Sequence, residues 1–299
     1  MLNPGRVYML AADHRWQWEE FCDKHALPRE RIPEVKRLAF DGFLLARTRS
    51  AAVRDFGALL IDEQYSSAVI TDAMKADLAV GTPAEKAGAI PLAWASEPFS
   101  ASLTGAFVKV LARHRPDDDL AVQAEQWKKL EALHAWCRAA HKPLVLEVLV
   151  ARTREDEDAF EASGRPAMLA GFIAEAYRRG LTPEFWKIEG TRSPAGARTI
   201  DAAIAAHPAC RQIILGKAAD LSTIDGWFAA CAASATASGF AIGRSVFWEP
   251  SAAFLTGTMA APQAAAAIAD TYLALVDAWA RSRKSQVSTL NSQRRMPNS

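Results

Sequence analysis

Three charged residues interrupt three otherwise apolar segments that follow one another along the chain. They are Lys109 in Phe-Val-Lys-Val-Leu, Glu147 in Val-Leu-Glu-Val-Leu and Lys187 in Phe-Trp-Lys-Ile-Glu. Burial of a charged side chain is unfavourable unless the charge is paired or has a chemical task. A neutral amine can attack a carbonyl carbon, and a nearby carboxylate can carry the protons of that reaction. The three residues therefore predict a site in which Lys187 forms an imine with a carbonyl substrate.

The segments that must position these residues form a repeated pattern. Eight short runs are rich in aliphatic or β-branched residues, and several are almost continuously apolar, which is typical of buried parallel strands. Amphipathic helical patterns separate most of them. This alternation predicts a single (β/α)₈ TIM barrel. The predicted strands are Val7–Asp13, Phe56–Asp62, Ala89–Glu97, Phe107–His114, Pro143–Val150, Phe185–Gly190, Arg211–Lys217 and Phe240–Phe247.

Two connections differ from those of an ideal barrel. The segment between the third and fourth predicted strands, Pro98–Ala106, is too short for a full crossover helix, so that helix is expected to be missing or vestigial. The first connection is long and has room for an extra helix. An open doubly wound sheet with a cap is the alternative fold. Residues 1–283 are predicted to form the barrel domain, and the polar, aperiodic segment 284–299 is predicted to be a disordered tail.

The barrel would bring the three charged residues together. Consecutive strands are neighbours in a barrel, so Lys109, Glu147 and Lys187 would place two cations and one anion in one cavity. A second ammonium group and an apolar cavity wall both lower the pKa of a lysine amine, so that a fraction of the molecules carries the amine in its neutral form. The alternative interpretation is an ion-pair network that only braces the barrel.

A second group of residues predicts an anion site. Gly243, Arg244 and Ser245 lie toward the carboxyl end of the eighth predicted strand, where barrels commonly bind phosphate. Glycine lets the backbone approach an anion closely, and backbone N–H groups with a guanidinium suit a phosphate dianion. Gly216, after the seventh strand, belongs to the same predicted site. The alternative for Arg244 is an ion pair with Glu249 at the rim.

Polar residues at the ends of the first two strands complete the candidate site. Asp13, Arg15 and Asp62 are predicted to bind substrate hydroxyls or a second anionic group, although each could instead hold a loop. His14 and His114 also lie at this face, and with Asp13 or Glu97 they allow a divalent-metal lyase as an alternative. Because no HxH or HxxE spacing occurs, we predict no metal and no cofactor.

Composition limits the partners that the chain can have. The 299 residues carry a formal net charge of +1, which provides no basic surface for nucleic acid. No apolar run is long enough for a membrane helix, and the first residues do not resemble a signal peptide. The four cysteines are scattered, which is typical of reduced thiols. We therefore expect a cytoplasmic protein that binds a small molecule and does not bind nucleic acid or membranes. Exposed apolar faces on the barrel helices could form the interface of a homo-oligomer.

Several motifs together resemble a known family. They are Ala-Ala-Asp-His-Arg (11–15), Leu-Leu-Ile-Asp-Glu-Gln-Tyr (59–65), Val-Lys-Val-Leu (108–111), Leu-Glu-Val-Leu (146–149), Trp-Lys-Ile-Glu (186–189) and Gly-Arg-Ser-Val-Phe (243–247). The chain resembles the class I, Schiff-base aldolases of the tagatose-bisphosphate and sulfofructose-phosphate type. It resembles still more the aldolase-like domain found fused to 5-dehydro-2-deoxygluconokinase in some bacterial inositol pathways.

The resemblance implies a role for each matching residue. Lys187 would form the imine, Glu147 would be the acid and base, and Lys109 would be the lysine that the family carries on strand four. Phosphate would bind at 243–245. The implied substrate is 6-phospho-5-dehydro-2-deoxygluconate, cleaved to dihydroxyacetone phosphate and malonate semialdehyde during inositol catabolism. The chain lacks a clear glycine-rich phosphate loop after the seventh strand. Tagatose-bisphosphate or sulfofructose-phosphate cleavage, and a non-catalytic sugar-phosphate-binding barrel, therefore stay open.

Overall fold

Eight parallel strands close into one barrel in chain order in the computed structural model, which describes residues 2–114, 117–152 and 156–293, with side chains to Lys284. β1 pairs with both β2 and β8, so the sheet has no open edge. The TIM-barrel prediction is confirmed, and the doubly wound alternative is wrong. The strands are β1 (Val7–Ala12), β2 (Gly57–Ile61), β3 (Val80–Pro83), β4 (Phe107–His114), β5 (Leu144–Val150), β6 (Phe185–Glu189), β7 (Arg211–Leu215) and β8 (Ala237–Ile242).

Helices cover the outside of the barrel. The long first connection holds three α-helices and a 3₁₀ turn, so the predicted extra helix there is confirmed. The α-helices are α1 (Trp16–Lys24), α2 (Ile32–Arg49), α3 (Ala51–Phe56), α4 (Glu63–Lys75), α5 (Leu120–Ala139), α6 (Glu157–Ala159), α7 (Arg165–Arg178), α8 (Pro194–Ala205), α9 (Leu221–Ala230), α10 (Arg244–Leu255) and α11 (Ala261–Gln293).

An apolar plug fills the lower interior of the barrel. Val145 on β5, Phe107 on β4 and Phe185 on β6 belong to this buried cluster. Side chains two residues apart on a strand point to the same face. The residues two positions further along these strands are Glu147, Lys109 and Lys187. Their side chains therefore also point inward and lie directly above this apolar cluster.

The third strand is not where the sequence analysis predicted it. Ala89–Glu97 is not a strand, and only an isolated bridge between Glu85 and Trp94 involves it. The strand is the turn-like Val-Gly-Thr-Pro of β3, where Gly81 is needed because a Cβ atom would lie 2.1 Å from the Phe107 ring. The connection to β4 therefore runs from Ala84 to Ala106. It has no α-helix, as predicted, but it is not short.

Two other predicted boundaries also differ from the structure. The eighth predicted strand, Phe240–Phe247, continues too far, because β8 ends at Ile242 and α10 begins at Arg244. The predicted disordered tail, 284–299, begins too early, because α11 continues to Gln293; residues 294–299 lie outside the described residues, so disorder there stays a prediction. Within the part of the chain that the structure describes, no helix combines the length and the apolar character needed to cross a bilayer.

Candidate active site

A cavity of about 240 Å³ opens at the carboxyl ends of the strands. Eight of the ten residues predicted from the sequence line it, and two, Asp62 and Ser245, do not. The eight are Asp13, Arg15, Lys109, Glu147, Lys187, Gly216, Gly243 and Arg244. The prediction that strands four, five and six contribute to one cavity is therefore correct in its geometry.

Lys187 lies in this cavity with a single carboxylate beside its amine. The Nζ atom is 2.9 Å from Oε2 of Glu147, and the two residues are direct partners in the pairing of β5 with β6. Lys187 is only 5% exposed and Glu147 is 8% exposed. The amine is thus shielded by protein, close to a proton acceptor, and open on its remaining side to the cavity.

Lys109 is bound far more tightly than Lys187. Its Nζ atom is 2.7 Å from Glu85, 2.8 Å from Glu147 and 3.1 Å from Asp13. An ammonium group has three N–H donors, so each finds a carboxylate. Burial alone would lower the pKa of Lys109, but Asp13, Glu147 and Glu85 together raise it well above its ordinary value. Lys109 is therefore a permanent cation.

Glu85 is the functional residue that the sequence analysis missed. One carboxylate oxygen accepts a hydrogen bond from Lys109, and the other accepts one from the backbone N–H of Leu111 at 3.2 Å. Arg15 donates to the backbone carbonyl of Glu85 at 3.0 Å. The charge count predicted for the cavity was wrong, because Glu85 and Asp13 join Glu147 around Lys109. The available signal was an acidic residue two positions after Val-Gly-Thr-Pro.

Two carboxylates of this cluster have lowered pKa values. Burial by itself raises the pKa of Glu147 and that of Asp13, but the ammonium groups of Lys109 and Lys187 outweigh it in both cases. Both groups are therefore ionised at neutral pH. An ionised Glu147 next to an amine can accept a proton and later return it, which is the behaviour expected of an acid and base.

The opposite side of the cavity, at β7 and β8, offers donors rather than ion pairs. A Cβ atom at Gly243 would lie 1.9 Å from the carbonyl oxygen of Ala11, so only glycine fits there. α10 begins at the next residue, and the first N–H groups of a helix have no acceptor inside the helix. Such a helix end attracts anions.

Arg244 is the side chain of this donor group. Burial lowers its pKa, and its Nε atom is buried without a hydrogen-bond partner among the described residues. The alternative pairing with Glu249 is wrong, because no ion pair between them occurs in the described part of the chain. A guanidinium beside a helix N-terminus can bind a phosphate through both charge and hydrogen bonds.

Ser245 does not face the cavity. Its hydroxyl donates to the carbonyl of Ala219 at 2.7 Å and so ties α10 to the loop after β7. In that loop Lys217 and Ala218 have φ values of 46° and 58°, which is unfavourable for residues with side chains. Lys217 is held by Glu189, with Nζ and Oε1 3.0 Å apart. Ser245 therefore supports the shape of the loop.

Asp62 is also structural. It is fully buried, and its Oδ2 atom is 2.5 Å from Nζ of Lys36. Lys36 donates to the carbonyls of Ala12 and His14 at 2.6 and 2.5 Å, on either side of Asp13. Asp62 does not line the cavity, because its carboxylate is paired with Lys36, so the structure does not support a contact between Asp62 and substrate. Asp62 and Lys36 instead fix the chain that carries Asp13.

The two histidines of the catalytic face do not share a site. His14 lines the large cavity, and His114 lines a different one near Phe172. Burial lowers the pKa of His14 to about 3, and its Nδ1 atom is buried without a partner among the described residues. In the described ranges no group of three or more His, Cys, Asp or Glu side chains is arranged to hold a metal ion.

Comparison with known proteins agrees with this architecture. A family model described as "Uncharacterized protein conserved in bacteria (DUF2090)" matches residues 3–283, and the chain therefore belongs to that family. No curated protein matches the chain. Solved structures of aldolases are similar in fold.

Three of these solved structures are described as fructose-bisphosphate aldolases. A Schiff-base-forming fructose-1,6-bisphosphate aldolase has 16% identity over 91% of this chain and 94% of its own, with a TM-score of 0.55. Fructose-bisphosphate aldolase from Plasmodium falciparum has 12% identity over 91% of each chain and a TM-score of 0.59. An archaeal fructose 1,6-bisphosphate aldolase has 16% identity over 90% and 94%, with a TM-score of 0.52. At these identities the likeness shows the fold.

Proposed function

We propose that this member of the DUF2090 family is a Schiff-base aldolase that cleaves a phosphorylated keto sugar or keto sugar acid. The observation that carries the proposal is the contact of 2.9 Å between the Lys187 amine and the Glu147 carboxylate at the floor of the cavity. The fold shared with aldolases that use an imine supports the same interpretation.

The contact gives Glu147 a place in each proton transfer. Glu147 takes a proton from the Lys187 ammonium, and the neutral amine adds to the substrate ketone. Glu147 then protonates the carbinolamine oxygen, which leaves as water, and an iminium forms. The iminium accepts the electron pair of the carbon–carbon bond as that bond breaks and becomes an enamine. A hydroxyl of the departing half gives its proton to the Glu147 carboxylate and becomes an aldehyde. Glu147 returns this proton to the enamine carbon, and water then hydrolyses the resulting iminium to release the ketone and the Lys187 amine.

Lys109 contributes by holding charge in place. Its ammonium is shared by Glu147, Glu85 and Asp13, so it holds these carboxylates in place while a proton enters and leaves Glu147. Preorganised charges of this kind need no rearrangement during the reaction. Asp13 lies next to this cation and is the available acceptor for a substrate hydroxyl.

The phosphate would bind on the other side of the cavity. Arg244, the N–H groups at the start of α10 and the backbone at Gly216 form a donor-rich surface suited to a dianion. Within this reaction class we favour 6-phospho-5-dehydro-2-deoxygluconate, giving dihydroxyacetone phosphate and malonate semialdehyde in inositol catabolism. Tagatose-bisphosphate and sulfofructose-phosphate are the alternative substrates. A cytoplasmic location and a homo-oligomer also stay predictions.

Borohydride trapping tests the proposal. Incubation with dihydroxyacetone phosphate and reduction of the imine should add a three-carbon phosphate mass to the peptide that contains Lys187. Lys187→Met should lose the label, whereas the exposed control Lys128→Met should keep it. The proposal is overturned if no adduct forms under conditions that label an established Schiff-base aldolase. Saturable sugar-phosphate binding without cleavage, altered only in affinity by Lys187→Met, would instead identify a sensor.

A further inference from the structure

A second, smaller cavity lies beside the active cavity at the end of β4. We call it the annex. It has a volume of about 30 Å³ and shares four residues with the large cavity: Glu85, Gly88, Leu111 and Arg113. On the same scale one water molecule needs about 10–15 Å³. The annex therefore has room for a terminal group of two or three heavy atoms, but not for a sugar ring.

The charges around the annex favour an anionic group. Arg113 and Lys86 both line it, and neither has an ion pair within the described ranges. Of the two acidic residues in the wall, Glu85 is already bound to Lys109 and to the Leu111 N–H. The remaining charged residues in the wall are the cations Arg113 and Lys86 and the anion Asp118, so the net charge around the annex is positive.

Arg113 projects from a fixed point of the backbone. Its N–H donates to the side-chain oxygen of Gln126 at 3.3 Å, and the Gln126 amide donates to the Arg113 carbonyl at 3.0 Å. Gln126 on α5 thus hydrogen-bonds the backbone of β4 beyond Lys109, where its pairing with β3 ends. A guanidinium held at its base loses less freedom when it binds a planar anion with two parallel hydrogen bonds.

The order of strands places the annex at the far end of the proposed substrate. β4 and β8 are opposite each other in a barrel of eight consecutive strands, and β6 is halfway between them. Arg244 follows β8, Lys187 is on β6, and Arg113 is the next-to-last residue of β4. A chain with its phosphate at Arg244 and its ketone carbon at Lys187 therefore has its other end directed toward Arg113.

On the basis of the aldolase function proposed above, we infer that Arg113 binds a carboxylate at the end of the substrate half that is released as the aldehyde. The annex volume suits a carboxylate, and the fork of the guanidinium matches its plane. Arg113 would then select keto sugar acids over sugars that end in a neutral hydroxyl, and Lys86 would add charge without defining the orientation.

A binding experiment tests this inference without any turnover. 3-Hydroxypropanoate, an unreactive three-carbon acid, is titrated into the full chain and followed by ligand-observed NMR. Arg113→Gln should weaken its binding about ten- to a hundredfold, the range for a hydrogen bond to a charged group. Arg138→Gln, an exposed arginine on α5, is the matched control and should bind like the wild type. Equal binding by Arg113→Gln and wild type would overturn the inference.

A condensation experiment separates this inference from the proposed function. Wild type and variants combine dihydroxyacetone phosphate with malonate semialdehyde, with glyceraldehyde or with glyceraldehyde 3-phosphate. In Arg113→Gln the preference for malonate semialdehyde over glyceraldehyde, expressed as a ratio of kcat/KM, should fall about ten- to a hundredfold. A larger loss with glyceraldehyde 3-phosphate would overturn the carboxylate assignment. If the wild type forms no imine, the aldolase proposal fails while the NMR titration still decides the annex.

Discussion

The two sides of the active cavity are built on different principles. On the side of β1, β4 and β5, Lys109 and three carboxylates satisfy one another, and every N–H of the ammonium has an acceptor within 3.1 Å. On the side of β7 and β8, Arg244 and the start of α10 present donors that have no protein acceptor among the described residues. The first side is complete before substrate arrives, and the second needs an anion to complete it.

The two lysines show the same contrast at closer range. Lys109 is enclosed by three acids, whereas Lys187 has Glu147 as its single ion-pair partner in the described ranges and lines the open cavity. A saturated ammonium holds a structure in place, and an ammonium with one partner can give up a proton and react. The position of each lysine in the ion-pair cluster therefore indicates its role better than the residue type does.

Replacement of the reactive lysine should have the largest effect on activity. Lys187→Met should lower kcat on the order of 10⁵-fold, because a covalent nucleophile has no substitute. Its effect on the free energy of unfolding should be smaller than that of Lys109→Met, since Glu147 keeps Lys109 as a partner. Steady-state cleavage and urea unfolding check both parts. If the kcat of Lys187→Met stays within tenfold of the wild-type value, Lys187 is not the reactive lysine.

Replacement of the enclosed lysine should have the largest effect on stability. Lys109→Met leaves Asp13, Glu85 and Glu147 buried together without their shared cation, and we expect a loss of about 3–5 kcal/mol in the free energy of unfolding. Chemical denaturation measures this directly. A matched change at the exposed Lys128 should be neutral. If Lys109→Met and Lys128→Met have the same free energy of unfolding, the cluster of Lys109 with its three carboxylates does not stabilise the fold.

The donor-rich side should respond through substrate affinity. Arg244→Gln should raise KM for a phosphorylated substrate about ten- to a hundredfold and leave the fold intact, because the Nε atom of Arg244 is buried without a hydrogen-bond partner among the described residues. Arg198→Gln, an exposed arginine on α8, serves as the control. Loss of stability instead of affinity would mean that Arg244 is a structural residue like Lys109.

The smallest effect concerns pH. Burial lowers the pKa of His14 to about 3 in the folded chain, whereas an unfolded histidine titrates near 6.5. Between about pH 6.5 and 3 the unfolded chain therefore binds a proton at His14 that the folded chain does not bind. The free energy of unfolding falls as the pH is lowered through this range. Between pH 7 and 5 the wild type should lose about 2 kcal/mol more than His14→Gln does. An equal loss in both proteins would contradict the shift, and the exposed His25→Gln is the control.

The charged residues of β4, β5 and β6 could be predicted from the sequence because each one interrupts an otherwise apolar strand. Lys109, Glu147 and Lys187 are single charges in apolar strands, and consecutive strands must be neighbours in a barrel. Their pairing partners were harder to predict. Glu85 lies after a strand that looks like a turn, Val-Gly-Thr-Pro, while the apolar segment 89–97 resembles a strand and forms none.

Direction of side chains limited the prediction elsewhere. Asp62 and Ser245 occupy positions at strand ends that suit substrate binding, but one turns outward to Lys36 and the other to Ala219. A shift of one residue along a strand reverses the face of a side chain, and boundaries at strand ends carry that uncertainty. The sequence pattern therefore identified which strands contribute better than it identified which terminal side chains face the cavity.

A crystal structure of the protein soaked with dihydroxyacetone phosphate tests the central claim most directly. Our account predicts continuous electron density from the Lys187 Nζ atom to the second carbon of the ligand, with the phosphate against Arg244 and the start of α10. Density for an intact ligand that is separate from Lys187, or a covalent bond to any other lysine, would contradict it.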